Sequence, residues 1–180
     1  MKKDLLIISA LKMELPKIEG AVCTGFGKER TKASLVAIFE HHRPSMVISV
    51  GVVGAVDPVL KVGDVFVPEA IVDHGNMDRI YNIGFPIDQK RGLLATVPKV
   101  FEREHKYELK KMFPRVSAVD MESSAVAEFL EPLGVPLVCI KTICDEVDFD
   151  FSDKVVLKKN IDIAVKKNHD YLSNILRNIA

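Results

Sequence analysis

The chain has 180 residues, with 25 basic and 25 acidic side chains and a formal net charge of zero. A sequence of this length, 48% hydrophobic, is expected to fold as one domain over residues 1–180 and to bury a core, which excludes disorder. Balanced, interleaved charge excludes the basic footprint of a nucleic-acid binder, and the longest apolar run, Met46 to Val56, is too short to span a bilayer.

In chain order, Leu5 to Ala10 is an apolar, β-branched run that predicts a buried strand. The preceding Met1-Lys2-Lys3 gives it a faint likeness to a secretory signal. Asp4, Lys12 and Glu14 break that pattern, so the expected location is the cytoplasm. Met13 to Ile18 predicts a short turn or helix limited by Pro16. Thr31 to His42 has helical spacing, with Leu35, Val36, Ile38 and Phe39 as its apolar stripe. Met46 to Val50 predicts a second buried strand, and Gly51-Val52-Val53-Gly54 a tight turn after it.

Leu60 to Val72 carries two strand-like pieces, Asp64 to Val67 and Ala70 to Val72. Asp73 to Arg91 is polar and reads as a loop, followed by a strand over Gly92 to Val97. Phe101 to Phe113 predicts a charged helix stopped by Pro114. Asp120 stands where the N-cap of a helix from Met121 to about Leu130 belongs. Pro136 to Ile143 is a third strongly apolar strand, and Asp153 to Ile179 a long closing helix. Alternating strands and helices predict an α/β fold, a three-layer α/β/α sandwich around a mixed, largely parallel sheet. Three cysteines, Cys23, Cys139 and Cys144, form no CxxC pair and have no His at ligand spacing. They read as reduced thiols, and no metal is expected.

In such sheets ligands bind beyond the carboxyl ends of strands. That rule selects Glu14, the Gly51–Gly54 segment, and Cys144-Asp145-Glu146. A carboxylate at a buried strand end, near other acids, is disposed to hold a proton, so Asp145 suits a general acid; an Asp there equally serves as a cap. Glu122, at a helix start, either complements the helix dipole or accepts hydrogen bonds from a diol. The glycines match neither a dinucleotide nor a triphosphate loop.

Three segments in order then carry a resemblance: Val47-Ile-Ser-Val-Gly-Val-Val-Gly-Ala-Val-Asp-Pro-Val-Leu-Lys-Val-Gly-Asp64, Ala118-Val-Asp-Met-Glu-Ser-Ser-Ala125 and Lys141-Thr-Ile-Cys-Asp-Glu-Val-Asp148. Together with Ile8-Ser-Ala-Leu-Lys-Met-Glu14 they resemble the nucleoside phosphorylase and nucleosidase superfamily. The branch most similar is bacterial methylthioadenosine/adenosylhomocysteine nucleosidase. The resemblance implies that Glu14 deprotonates an attacking water and that Asp145 protonates purine N7. It places Met121 and Glu122 under the ribose, with Glu122 on its 2′- and 3′-hydroxyls, and Gly54 and Val100 near sugar and base. It implies a small nucleoside as substrate, no cofactor, and a homodimer or higher homo-oligomer.

The chain departs from that family between Glu14 and Val47 and between His74 and Gly92, where it is shorter. The base-contacting turn Ala95-Thr-Val-Pro-Lys-Val-Phe101 lacks the family's Ser and Asp. Base and 5′-group therefore stay open, as do three rival readings: a phosphorylase, a nucleosidase for a larger 5′-group of the futalosine type, and a silent nucleoside-binding protein. The turn Gly51–Gly54 lacks the hydroxyl that a phosphate site needs, and Glu14 would repel the anion, so water is the expected acceptor.

Overall fold

A computed structural model describes residues 4–15, 20–83 and 92–179. Its scaffold is one mixed sheet of nine strands. The first is β1 (Leu5–Ser9), followed by a single 3-10 turn (Lys12–Glu14), β2 (Val22–Cys23) and helix α1 (Lys28–His41). Then come β3 (Met46–Ala55), β4 (Val65–Phe66), β5 (Ala70–Asp73), β6 (Asn76–Asn82) and β7 (Leu93–Thr96). Helix α2 (Arg103–Met112), β8 (Val116–Asp120), helix α3 (Ser123–Leu130), β9 (Leu137–Asp145) and helix α4 (Lys154–Ile179) complete the order.

The central strands read as continuous apolar runs because both faces of the sheet are covered. Leu6 and Ile8 of β1, Val47 of β3, and Leu137 and Cys139 of β9 pack with Leu35 and Phe39 of α1 and Val126 and Leu130 of α3. Their neighbours Ile7, Ile48, Val138 and Ile140 point the other way and pack with Leu172 of α4. Leu109 of α2 covers a third cluster over β5, β7 and β8. These three layers are the predicted sandwich.

β3 is the strand that organises the sheet. It lies parallel to β1 and β9 along most of its length, while its end pairs antiparallel with β8 through Gly54↔Val119 and Ala55↔Ala118. β5, β7 and β8 are parallel to one another and therefore run against β3. Two half-sheets of opposite direction thus bring strand ends to the Val52–Gly54 segment, the kind of switch point at which open α/β sheets bind ligands.

Several expectations are corrected here. Gly51–Gly54 is not a turn: β3 continues through it to Ala55. Gly51 has φ of 154°, a conformation that disfavours a side chain, and a Cβ there would lie 3.4 Å from Glu14 Oε1. The stretch from Asp73 is not all loop, since Asn76–Asn82 forms β6 and pairs antiparallel with β5. β6 is an edge strand with mostly polar, exposed side chains, which hides its period from the sequence; residues 84–91 of that predicted loop lie outside the described residues. The predicted turn at Met13–Ile18 is seen as the 3-10 turn ending at Glu14, and its part from Pro16 lies outside them too. The helix expected from Met121 starts at Ser123, because Asp120 ends strand β8, a strand the sequence reading did not predict. In α1, Leu35 and Phe39 are buried but Val36 is 50% exposed.

Candidate active site

Glu14, Gly54, Val100, Met121, Glu122 and Asp145, the six positions singled out from sequence, all line one cavity of about 450 Å³. That volume lies in the range of small-molecule sites. Each wall comes from a different part of the chain, and the sheet brings them together.

Glu14 ends the 3-10 turn that follows β1. Its Oε2 accepts the Leu11 N–H at 3.0 Å and its Oε1 the Val52 N–H at 3.2 Å. Burial pushes its pKa above the usual carboxylate range, and Lys141 together with those two N–H groups opposes the rise. A buried carboxylate held by two backbone donors, with its proton affinity raised, is suited to accept a proton.

Asp120 and Lys141 form the polar floor behind it. Asp120 accepts Thr96 Oγ1 at 2.9 Å and the Ser123 N–H at 3.2 Å, and also the Ser123 hydroxyl. It is not the N-cap expected from sequence: it ends β8, and Glu122 holds the N-cap position of α3. Lys141, 4% exposed on β9, lies 3.5 Å from Asp120 Oδ2 and donates to Ser49 Oγ at 3.1 Å. Burial works against its charge, but Asp120, Glu122 and Glu14 keep its pKa above the ordinary lysine value.

Glu122 immediately precedes α3, not second in it as expected. Its Oε1 accepts the N–H of Gly27 at 2.8 Å, which ties it to the start of α1. Burial, then repulsion from Asp120, raises its pKa to about 7. Met121 beside it is half-buried, and Val100 is 52% exposed at the cavity's edge. Phe101, weighed as a base-stacking ring or a core residue, is 6% exposed in the core; its ring packs against His74 and His105, and its edge reaches the cavity.

Asp145 ends β9 at 5% exposure. A Cβ at Gly54 would lie 2.9 Å from its Oδ1, so only glycine admits this carboxylate beside β3. Lys106 of α2 donates to Oδ1 and also to the Glu146 carbonyl at 3.0 Å. The Cys144 thiol faces Oδ2 at 3.4 Å, and burial pushes that thiol well above its usual pKa.

Sequence reasoning missed Lys141 and Lys106. Lys141 carried a signal: it is the one charge inside the apolar run Leu137–Cys144, and a charge on a buried strand requires a counter-charge. Lys106 carried almost none. Helix α2 is rich in charges and reads as a solvated face, and only the spacing of Lys106 to the buried Leu109 places them on one side. Among the described residues no group of His, Cys, Asp and Glu is arranged to hold a metal ion, and no helix is long and apolar enough to cross a membrane.

Fold and site together define an α/β protein with a carboxylate-lined pocket of small-molecule size at its sheet switch point. A profile described as the phosphorylase superfamily matches residues 20–89 and 78–177, and the chain belongs to that superfamily. The 5′-methylthioadenosine/S-adenosylhomocysteine nucleosidase of Buchnera aphidicola subsp. Acyrthosiphon pisum is 28% identical over 184 residues, covering 87% of this chain and 78% of that protein. The fold is similar to the S-adenosylhomocysteine nucleosidase of Streptococcus pyogenes, solved with 5-methylthiotubericidin, at a TM-score of 0.83 and 20% identity over 99% of this chain and 98% of that one. Futalosine hydrolase of Helicobacter pylori is similar at 0.83, with 17% identity over 99% of each chain.

Proposed function

We propose that this chain is a nucleosidase that hydrolyses the N-glycosidic bond of 5′-substituted adenosines such as 5′-methylthioadenosine and S-adenosylhomocysteine. The observation that carries the reading is the placement of Glu14, Glu122 and Asp145, from three distant segments, around one cavity. The activities of the similar proteins support the same chemistry.

In this reading Glu122 accepts the 2′- and 3′-hydroxyls of the ribose and exchanges its Gly27 contact for them. Its charge lies close to the cation that develops on the sugar. Glu14 holds a water and takes its proton as the oxygen bonds to C1′. The C1′–N9 bond breaks, its electron pair enters the base, and Asp145 delivers a proton to N7. Base and ribose derivative leave, and every step is acid–base chemistry that needs no cofactor. Leu11, Phe26, Leu157 and Ile161 supply an apolar wall to the same cavity, which suits a thioether at the 5′-position. The reading includes a cytoplasmic homodimer or higher homo-oligomer, and light scattering of the purified chain tests the oligomeric state.

The groups that converge on the sugar end are carboxylates, and the buried cation there, Lys141, is paired with Asp120. That arrangement favours water over phosphate as acceptor. Incubation with a panel of nucleosides, with and without phosphate, tests this. Free base and free ribose without phosphate are expected, with Glu14→Gln losing at least a hundredfold in kcat. Strict dependence on phosphate, with ribose-1-phosphate as product, would establish the phosphorylase instead.

A further inference from the structure

The acid assigned to the leaving base is paired with a cation. Asp145 Oδ1 is bonded by the Nζ of Lys106, and the lysine side chain is 1% exposed. An ammonium has only protons to give, so in this contact Lys106 is the donor and Asp145 the acceptor. The thiol on Oδ2 is no substitute, since burial holds its proton tightly. Lys141 is committed to Ser49 and Asp120. The ammonium of Lys106 therefore carries the proton that stands in hydrogen-bond contact with Asp145.

Its setting is built to hold it there. The Glu146 carbonyl accepts a second ammonium proton at 3.0 Å, and the ring of Phe151 lies 5.6 Å from Nζ. Lys, unlike Arg, can release a proton and take it back. The burial is not a by-product of packing an apolar helix, since Leu109 is the one other buried residue of α2.

We propose that Lys106 is the source of the proton that Asp145 delivers to the leaving base, acting as a positioning residue through Asp145. The proposal rests on the nucleosidase reading. An N–H bond of the ammonium breaks as an O–H bond forms on Asp145. That O–H bond breaks as N7–H forms, while the C1′–N9 electron pair moves into the base. Lys106 is left as an amine and regains a proton from water after the base departs, as Glu14 returns to water the proton it took from the nucleophile.

The test compares leaving groups. kcat/KM is measured for the full chain, Lys106→Met, Asp145→Asn and the double variant, on 5′-methylthioadenosine and on 4-nitrophenyl 5-methylthio-β-D-ribofuranoside. Nitrophenolate departs without being protonated, so the second substrate bypasses the acid. Lys106→Met is expected to lose at least a hundredfold on the adenosine, and at least tenfold less than that on the nitrophenyl riboside. In the Asp145→Asn background the lysine substitution is expected to cost less than twofold on the adenosine, because the two residues act in series.

Equal losses on both substrates would mean that Lys106 only supports the fold and would overturn the proposal. An undiminished cost in the Asp145→Asn background would overturn it as well. If Lys106→Met alone does not fold, the comparison of the double variant with Asp145→Asn still decides, since the double variant buries no unpaired charge. Failure of the nucleosidase reading shows separately, as an unsubstituted protein that releases no base from any nucleoside. An active parent with an insensitive Lys106→Met overturns the lysine's role alone.

Discussion

Five acidic residues, Glu14, Glu102, Asp120, Glu122 and Asp145, line the cavity, and their surroundings divide the work among them. Asp120 is saturated by donors from Thr96 and Ser123 and serves the framework. Glu122 keeps one N–H partner, and burial raises its pKa to about 7 from an ordinary 4.5. A carboxyl whose folded pKa is raised contributes stability that is present below about 4.5 and is lost as pH rises through about 7. The Tm of the parent is therefore expected to fall between pH 5 and pH 8, and Glu122→Gln to flatten that slope, as read by thermal denaturation across the pH series. Gly54 belongs to the same scale. Its φ is unremarkable, so Gly54→Ala keeps the strand, but the new methyl would stand 2.9 Å from Asp145 Oδ1. The carboxyl, held by Lys106, must then shift, and kcat on adenosines is expected to drop at least tenfold with an unchanged circular dichroism spectrum.

Among the elements, β3 and α4 set the geometry on which those residues depend. β3 is ten residues long because it serves two half-sheets, and its last residues hold the ends of β8 and β9 on its two opposite edges, both paired at Gly54. α4 covers the outer face of this junction and is fixed to it by Asn168, 4% exposed, whose Nδ2 donates to the Gly51 carbonyl at 2.9 Å and the Ile140 carbonyl at 3.0 Å. Asn168→Ala removes the donor shared by two buried carbonyls. A loss of about 1–3 kcal/mol in unfolding free energy is expected in urea titrations. Because Gly51 also borders Glu14, part of the loss should appear as a lower kcat. α2 docks through two lysines as well as through Leu109. Lys106 reaches Asp145, and Lys110 reaches Asp57 at 2.9 Å and the carbonyls of Pro114 and Val116.

For the molecule as a whole, the cavity is lined by residues from Ala10 to Ile161. A ligand that touches Glu14, Glu122 and Asp145 joins the segments after β1, β8 and β9, and so binds only the folded chain. A 5′-alkylthio adenosine analogue with a stable bond to its base, at a hundred times its Kd, should stabilise the chain by about 2.7 kcal/mol. For a chain of this size that corresponds to a rise of roughly 5–11 °C in Tm by differential scanning fluorimetry. No shift at saturating analogue would mean that the cavity does not take nucleosides.

The sequence by itself determined the layers and the carboxylates. Leu5–Ala10, Met46–Val50 and Pro136–Ile143 announce central strands because a strand covered on both faces is apolar along most of its length. Glu14 and Asp145 stand out because each follows such a strand, where a ligand-binding edge is expected. Partnership was a different matter. That Gly51 and Gly54 lie inside a strand follows from the approach of Glu14 and Asp145 across the sheet, contacts with residues 37 and 91 positions away that no local pattern records. β6 was illegible because an exposed edge strand loses its apolar alternation. Lys106 was hidden for a related reason: a charged helix looks solvated until the tertiary fold places a buried carboxylate against it, and only then does its buried lysine acquire a role.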